Sequence, residues 1–210
     1  MTSTWGKYAR CADSWSDEAY ADARTYLARR AELVRTLGPP LVPGDTVLDL
    51  ACGDGGLGDF LPDQRYCGVD ASPEMVQAAR RRGRDVVLAD LNDYEPSQPV
   101  QVTTIFRAIY YAHDRAALLA RITGYTETKL VFDLNPRQYR LADIRADLRA
   151  AGFDGFELRP FFVPQTRVLP LVLAMLLRML ERSGLLARLL LRGRFTYLCA
   201  AWRTGPGTKR

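Results

Sequence analysis

Histidine and cysteine are scarce in this chain: there is one histidine, His113, and there are four cysteines among 210 residues. Cys11, Cys52, Cys67 and Cys199 are scattered, with no Cys-x-x-Cys pair and no metal-ligand spacing. A zinc module or disulfide framework is therefore not expected. Cys52, Cys67 and Cys199 lie in apolar stretches, where a free thiol serves as a small hydrophobe. A reducing cytoplasm is the expected compartment. The first residues lack the apolar stretch of a secretory signal. The apolar run at 168–177 has ten residues, about half of the roughly 20 that a spanning helix needs. Internal repeats and low-complexity tracts are absent, and basic and aromatic residues are not interleaved as on a nucleic-acid surface. The net charge of +5 is concentrated between 167 and 194, where six arginines face one acid, Glu181. Nucleic acid is not an expected partner.

What is there has the composition of a globular protein, 48% apolar and 25% charged. Its length suits one domain, 1–210. A helical pattern runs over 17–37, with Ser16 or Asp17 placed to cap it and Gly38-Pro39-Pro40 to stop it. Strands are predicted at 46–51, 66–70, 85–89, 100–106 and 129–134. Helical stretches at 55–61, 73–82, 113–122 and 138–151 alternate with them. That alternation implies crossover units and a parallel sheet covered on both faces. Two further strands, 155–163 and 195–202, are expected to pair, the last entering antiparallel at the sheet edge. The chain then divides into an N-terminal lid and helix (1–43), a core (44–164), a helical insertion (165–194) and the last strand (195–203). On a helical wheel Arg178, Glu181, Arg182, Arg188 and Arg192 share one arc of about 120° opposite Leu, Val and Met. The insertion reads as a lid that also walls an apolar pocket, with membrane-surface contact as the minor reading.

Three acids, Asp49, Asp70 and Asp90, lie at or near the ends of short apolar runs, 21 and 20 residues apart. One strand plus one returning helix fits that interval, so the acids should line up along neighbouring strand ends, where open α/β sheets bind ligands. After Asp49 comes a glycine loop, Gly53-x-Gly55-x-x-Gly58, which formally satisfies the dinucleotide pattern, with Asp70 as the ribose acid. A pyrophosphate would sit over those glycines, yet Asp49, Asp54 and Asp59 crowd the same place and would repel it. A ligand bearing positive charge and sugar hydroxyls, such as S-adenosylmethionine, turns the same acids into assets. Asp49 interrupts a buried strand, and an unpaired buried carboxylate is expensive. Contact with a ligand ammonium would account for it; the alternative is that it caps the loop.

Asp49-Leu50-Ala51-Cys52-Gly53-Asp54-Gly55 resembles the first motif of class I S-adenosylmethionine-dependent methyltransferases, D-L-G-C-G-x-G, with Ala51 in place of the first glycine. Tyr66-Cys67-Gly68-Val69-Asp70-Ala71-Ser72-Pro73-Glu74-Met75 resembles the second motif, and Ala89-Asp90-Leu91 the third. The similarity covers roughly 44–160. It implies a Rossmann-like fold, S-adenosylmethionine as cofactor and a small-molecule acceptor. By that resemblance Asp49, Ala51, Gly53 and Gly55 hold the amino-acid end of the cofactor. Asp70 takes the ribose hydroxyls, Ala71 and Met75 flank the adenine, and Asp90 and Leu91 complete its slot. Trp5-Gly6-Lys7-Tyr8-Ala9 is similar to the aromatic N-terminal lid of small-molecule methyltransferases, which makes Tyr8 a candidate cofactor contact.

Phe106-Arg107-Ala108-Ile109-Tyr110-Tyr111-Ala112-His113 follows the fourth strand, the segment that in this family passes beside the sulfonium. Arg107 is a candidate cofactor contact there. His113, able to take a proton near neutrality, is the candidate general base, and its alternative is a capping or pocket-lining role. Tyr110 and Tyr111 are candidates to wall the sulfonium and acceptor by ring-face attraction, one of them expected in the core. Asn135, after the fifth strand, is a further candidate substrate contact. Asn135-Pro136 is not the Asn-Pro-Pro-Tyr signature of amino methyltransferases, because it follows the wrong strand and lacks the second proline. No metal-ligand set is seen. The expected reaction is methyl transfer to a small, largely apolar acceptor, with oxygen as the expected atom. A nicotinamide-dependent oxidoreductase and a non-catalytic, membrane-associated cofactor-binding protein stay open beside it.

Overall fold

The computed structural model describes residues 12–182 and 196–204. Seven strands form one sheet: β1 (Thr46–Leu50), β2 (Arg65–Asp70), β3 (Asp85–Leu88), β4 (Val100–Ile105), β5 (Thr126–Leu134), β6 (Gly155–Phe161) and β7 (Thr196–Trp202). Their order is β3-β2-β1-β4-β5-β7-β6. The first five are parallel, and β7 pairs antiparallel with both β5 and β6. β7 is therefore enclosed, and β6 is the edge strand, which corrects the expectation that the last strand lies at the edge. Its sequence fits the enclosed place, since Leu198, Cys199, Ala200 and Ala201 are all fully buried.

Alternation along the strands assigns side chains to two cores. Val47, Val102, Val131, Leu198 and Ala200 point to one face, under helix α2 (Ala23–Thr36). Leu48, Ile105, Leu130, Phe132, Cys199 and Ala201 point to the other, under α4 (Arg115–Tyr125) and α5 (Leu141–Ala150). The period of two explains why neighbours in sequence serve different cores.

The predicted helix at 17–37 is two helices, α1 (Trp15–Ala19) and α2. Asp22, not Ser16 or Asp17, caps the long one, accepting from the Thr25 N–H at 2.9 Å. Helix α3 (Pro73–Arg81) starts as predicted, with Ser72 as cap and proline in its first turn. The stretch predicted as a helix at 55–61 is a single 3-10 segment, Gly56–Phe60. Three glycines in four positions disfavour a full helix, and close packing selects them. A Cβ on Gly56 would lie 2.5 Å from the Ser16 hydroxyl, and one on Gly58 would lie 3.0 Å from the Tyr66 ring.

The end of α2 is held by Lys129 of β5, fully buried, whose ammonium donates to the Leu37 carbonyl at 2.6 Å. Burial pulls its pKa down to about 7, with Glu157 and Asp45 opposing. After β6, helix α6 (Leu171–Arg182) is tied to the fold by Glu181, which is 4% exposed. Glu181 accepts from the Arg29 guanidinium, Nε at 3.0 Å, and from the Phe162 N–H at 2.9 Å.

Candidate active site

The carboxyl ends of β1, β2 and β4 and the chain that follows β3 open into a cleft of about 400 Å³. Asp49, near the end of β1, is 4% exposed and borders it. Its carboxylate accepts from the Tyr66 hydroxyl at 2.8 Å and from the Thr104 hydroxyl at 2.6 Å. It therefore does not cap the glycine loop. Burial pushes its pKa up to about 6, against those hydrogen bonds and the Arg30 charge.

Asp70, the last residue of β2, accepts from the Gly53 N–H at 2.8 Å and the Ser72 N–H at 2.9 Å. Burial raises its pKa as well. Asp90 is exposed at the far end of the acid row, where Asn92 donates to it from both N–H and side-chain amide, at 2.8 and 2.7 Å. The same amide group of Asn92 donates to the Tyr111 carbonyl and accepts from the His113 N–H. Asn92 thus ties the third acid to the segment after β4. Its Asp-x-Asn spacing is an Asx-turn signal that sequence reasoning passed over.

The glycine loop itself turns through three left-handed residues, Ala51 at φ 57°, Gly53 at φ 59° and Gly55 at φ 70°. The family's first glycine thus has a backbone reason, and Ala51 occupies that place against its steric preference. Trp15 covers the loop: a Cβ on Gly53 would meet its indole at 3.1 Å. Asp54 is buried and turned to α1, accepting from the Ser16 N–H at 3.1 Å and the Ser16 hydroxyl at 2.7 Å, with Arg82 at 3.1 Å. Asp59 is paired with Arg82 and Arg84. Both charges are compensated, so the expectation that Asp54 and Asp59 repel a phosphate is corrected. The negative side of the cleft consists of Asp49, Asp70 and Asp90.

Two arginines also border the cleft. Arg30, from α2, is 2% exposed and borders the cleft. It pairs with Asp133 at 2.6 Å, takes a 3.0 Å contact with the Tyr26 hydroxyl, and lies 4.5 Å over the Phe106 ring. Its Nε has no hydrogen-bond partner. Asp133 also accepts from the Arg107 N–H at 2.6 Å, holding Arg107 at φ 55°. The Arg107 guanidinium lies 5.8 Å from the Tyr20 ring centre, and among the described residues no carboxylate pairs with it.

Residues 47–129 match the family described as a methyltransferase domain. The trans-aconitate 2-methyltransferase of Azoarcus sp. (strain BH72) is 33% identical over 136 residues, 60% of this chain and 52% of that protein. The chain thus spans about half the length of that curated relative. A chain of the complex between the Haloferax volcanii Trm112 methyltransferase activator and a methyltransferase superposes with TM-score 0.67 at 21% identity, covering 98% of each chain. Magnesium protoporphyrin IX methyltransferase from Synechocystis PCC 6803, solved with bound S-adenosylmethionine, gives 0.56 at 17% identity over 97% of this chain and 86% of that one. Residues 47–129 thus carry the match to a methyltransferase domain, and the sheet around them has the fold of the solved methyltransferases. An antiparallel β7 inserted beside β5 departs from the 3-2-1-4-5-6 strand order of a dinucleotide-binding sheet.

The cleft brings together Asp49, Ala51, Gly53, Asp70, Ala71, Met75, Asp90, Leu91, Arg107, Tyr110, Tyr111 and His113. Gly55 supports the loop from behind. Tyr110 and Tyr111 are both exposed, with ring centres 4.4 Å apart. The expectation that one lies in the core is thus corrected: a short 3-10 turn, Ile109–Tyr111, turns both outward and buries Ile109 instead. Asn135 does not line the cleft; its side chain closes the turn after β5 by accepting from the Arg137 N–H at 3.0 Å. His113 sits exposed at the Asp90 end, and Asp114, not His113, caps α4. No described residue of α6 lines the cleft, so 171–182 does not wall it, while residues 183–194 of the expected insertion lie outside the described residues. Glu181 turns α6 toward α2 and β6. Tyr8 lies outside the described residues. Sequence reasoning missed Trp15, Ser16, Tyr20 and Arg30, all of which border the cleft. An arginine inside an apolar helical face, which is where Arg30 sits, was the one available signal.

Proposed function

We propose that the protein transfers a methyl group from S-adenosylmethionine to a carboxylate oxygen of a small acceptor. The observation that carries this reading is the Arg107 guanidinium at the cleft, with which no carboxylate pairs among the described residues. A guanidinium without a carboxylate partner at a cleft wall favours an anionic group, and its fork suits a carboxylate. The name of the Azoarcus relative, a methyltransferase of the tricarboxylate trans-aconitate, supports the same class. Tyr20, Tyr110, Tyr111 and Phe106 supply an aromatic wall for the rest of the acceptor. The largely apolar acceptor of the sequence reading becomes one with an apolar body and an anionic end.

The residues present fit the cofactor. Asp70 spends two acceptor sites on backbone N–H groups and keeps others for ribose hydroxyls. Ala71, Met75 and Leu91 offer an apolar slot for adenine, and Asp90 an acceptor at its rim. Asp49 faces the ammonium, and the turn at Ala51, Gly53 and Gly55 brings backbone close to the amino-acid end. Bound there, S-adenosylmethionine supplies an electrophilic methyl on a sulfonium. A carboxylate acceptor is already ionised at neutral pH, so the chain's work is alignment, which accounts for large rate factors without a base. Arg107 orients the acceptor oxygen, and the tyrosines exclude water. His113 keeps the role of a rim residue in this scheme, so the His113→Ala enzyme should retain most of its turnover, measured as S-adenosylhomocysteine release.

Steady-state assays of S-adenosylhomocysteine release, run across a panel of small carboxylic acids, test the proposal. Arg107→Ala is expected to raise the acceptor KM at least tenfold, the loss of a charge-assisted bond of about 1.5–3 kcal/mol. Its affinity for S-adenosylhomocysteine by calorimetry should hold. The reverse pattern, weakened cofactor and unchanged KM, would assign Arg107 to the cofactor carboxylate and refute the acceptor class.

A further inference from the structure

We propose that helix α6 is an interfacial anchor that seats the protein on an anionic lipid surface. Val168, Leu171, Val172, Met175, Leu176 and Met179 are 57–77% exposed. At 100° per residue the five from the helix fall within an arc of about 140°. Scattered apolar residues on a surface need no explanation, but a contiguous stripe does. The buried Glu181, held by Arg29 and Phe162, fixes the opposite side of the helix against the fold. It also removes the one acid of 164–182 from the surface, while Arg167 and Arg178 stay exposed. The result is an apolar arc edged by positive charge.

Twelve residues are about 18 Å of helix, too short to cross a bilayer and suited to lie in its plane. No helix among the described residues is long and apolar enough to span. Charge selects the occupant. A second copy docked on the same arc would bring two Arg178 guanidinium groups to one seam, whereas anionic headgroups neutralise them at about 1 kcal/mol per basic residue.

The full chain is sedimented with phosphatidylcholine vesicles, with and without phosphatidylglycerol, in low and high salt. Binding to the phosphatidylglycerol vesicles alone, weakened by salt, is the expected result. Val172→Ser, Met175→Ser and Met179→Ser together should lower the partition coefficient at least tenfold, and Arg178→Glu at least fivefold, with S-adenosylhomocysteine affinity unchanged as proof of folding. No vesicle binding, or equal binding with and without phosphatidylglycerol, overturns the proposal. So does a triple variant that binds like the parent. A concentration-dependent dimer without lipid, abolished by the serine substitutions, assigns the arc to a second copy and overturns it too.

Discussion

Asp49 is where burial and ligand chemistry meet most directly. A carboxylate with two hydroxyl donors and a pKa near 6 is half protonated in mildly acidic solution. Protonation removes the charge that would attract a ligand ammonium. S-adenosylhomocysteine affinity should therefore fall as pH drops below about 6, and Asp49→Asn should be weaker overall and flat across that window; calorimetry at pH 5, 6 and 7.5 decides it. Ala51 carries a different cost. At φ 57° an alanine gives up about 1–2 kcal/mol, only part of which returns through its stiffer unfolded chain. Ala51→Gly should stabilise by about 0.5 kcal/mol, seen as a small rise in Tm. The identity of both residues was legible in the linear motif. Their environment was not, since Tyr66 and Thr104 reach Asp49 from 17 and 55 residues away.

Elements carry the next level of organisation. Strand positions followed the predicted runs closely because a buried parallel strand is a short block of β-branched and aliphatic residues with turn signals at both ends. Helix breaks were harder. The pause between α1 and α2 depends on Asp22 capping and on Ser16 being claimed by Asp54, a partner 38 residues later. That contact makes α1 the floor of the site and not merely a flank. Ser16→Ala should cost about 1.5–2 kcal/mol, one hydrogen bond to a charged group. Because Trp15 would loosen over the glycine loop, S-adenosylhomocysteine affinity should drop several-fold. A denaturant melt with an unchanged midpoint would refute the coupling.

The whole molecule titrates as well as folds. Lys129 has a pKa near 7 when folded and an ordinary value of 10.5. Between about pH 7 and 9 the unfolded chain holds a proton that the folded one lacks, so stability rises with pH, by about 1.4 kcal/mol per unit at most. Below pH 7 both states are protonated and the full burial penalty persists. Higher still, the thiols of Cys52, Cys67 and Cys199 and the Tyr66 hydroxyl, whose ionisation desolvation resists, reverse the slope. Lys129→Met should flatten the dependence of Tm on pH between 7 and 9 and raise Tm at pH 7. Equal slopes in the two proteins would place the effect elsewhere.

Chain order and local pattern alone determined the strands, the crossover rhythm, the acid at each strand end and the positive-φ turn. Each depends on side-chain period or backbone conformation within a few residues. Tertiary structure alone decided which acids face the cleft. Asp54 and Asp59 look equivalent to Asp49 in a linear string, yet arginines beyond the loop neutralise them. It also decided that Arg30 finds its partner in Asp133, 103 residues away, that Arg107 finds no carboxylate among the described residues, and that the apolar side of α6 turns away from the site. Charge pairing and facing are set by distances through space, and a sequence records only distances along the chain.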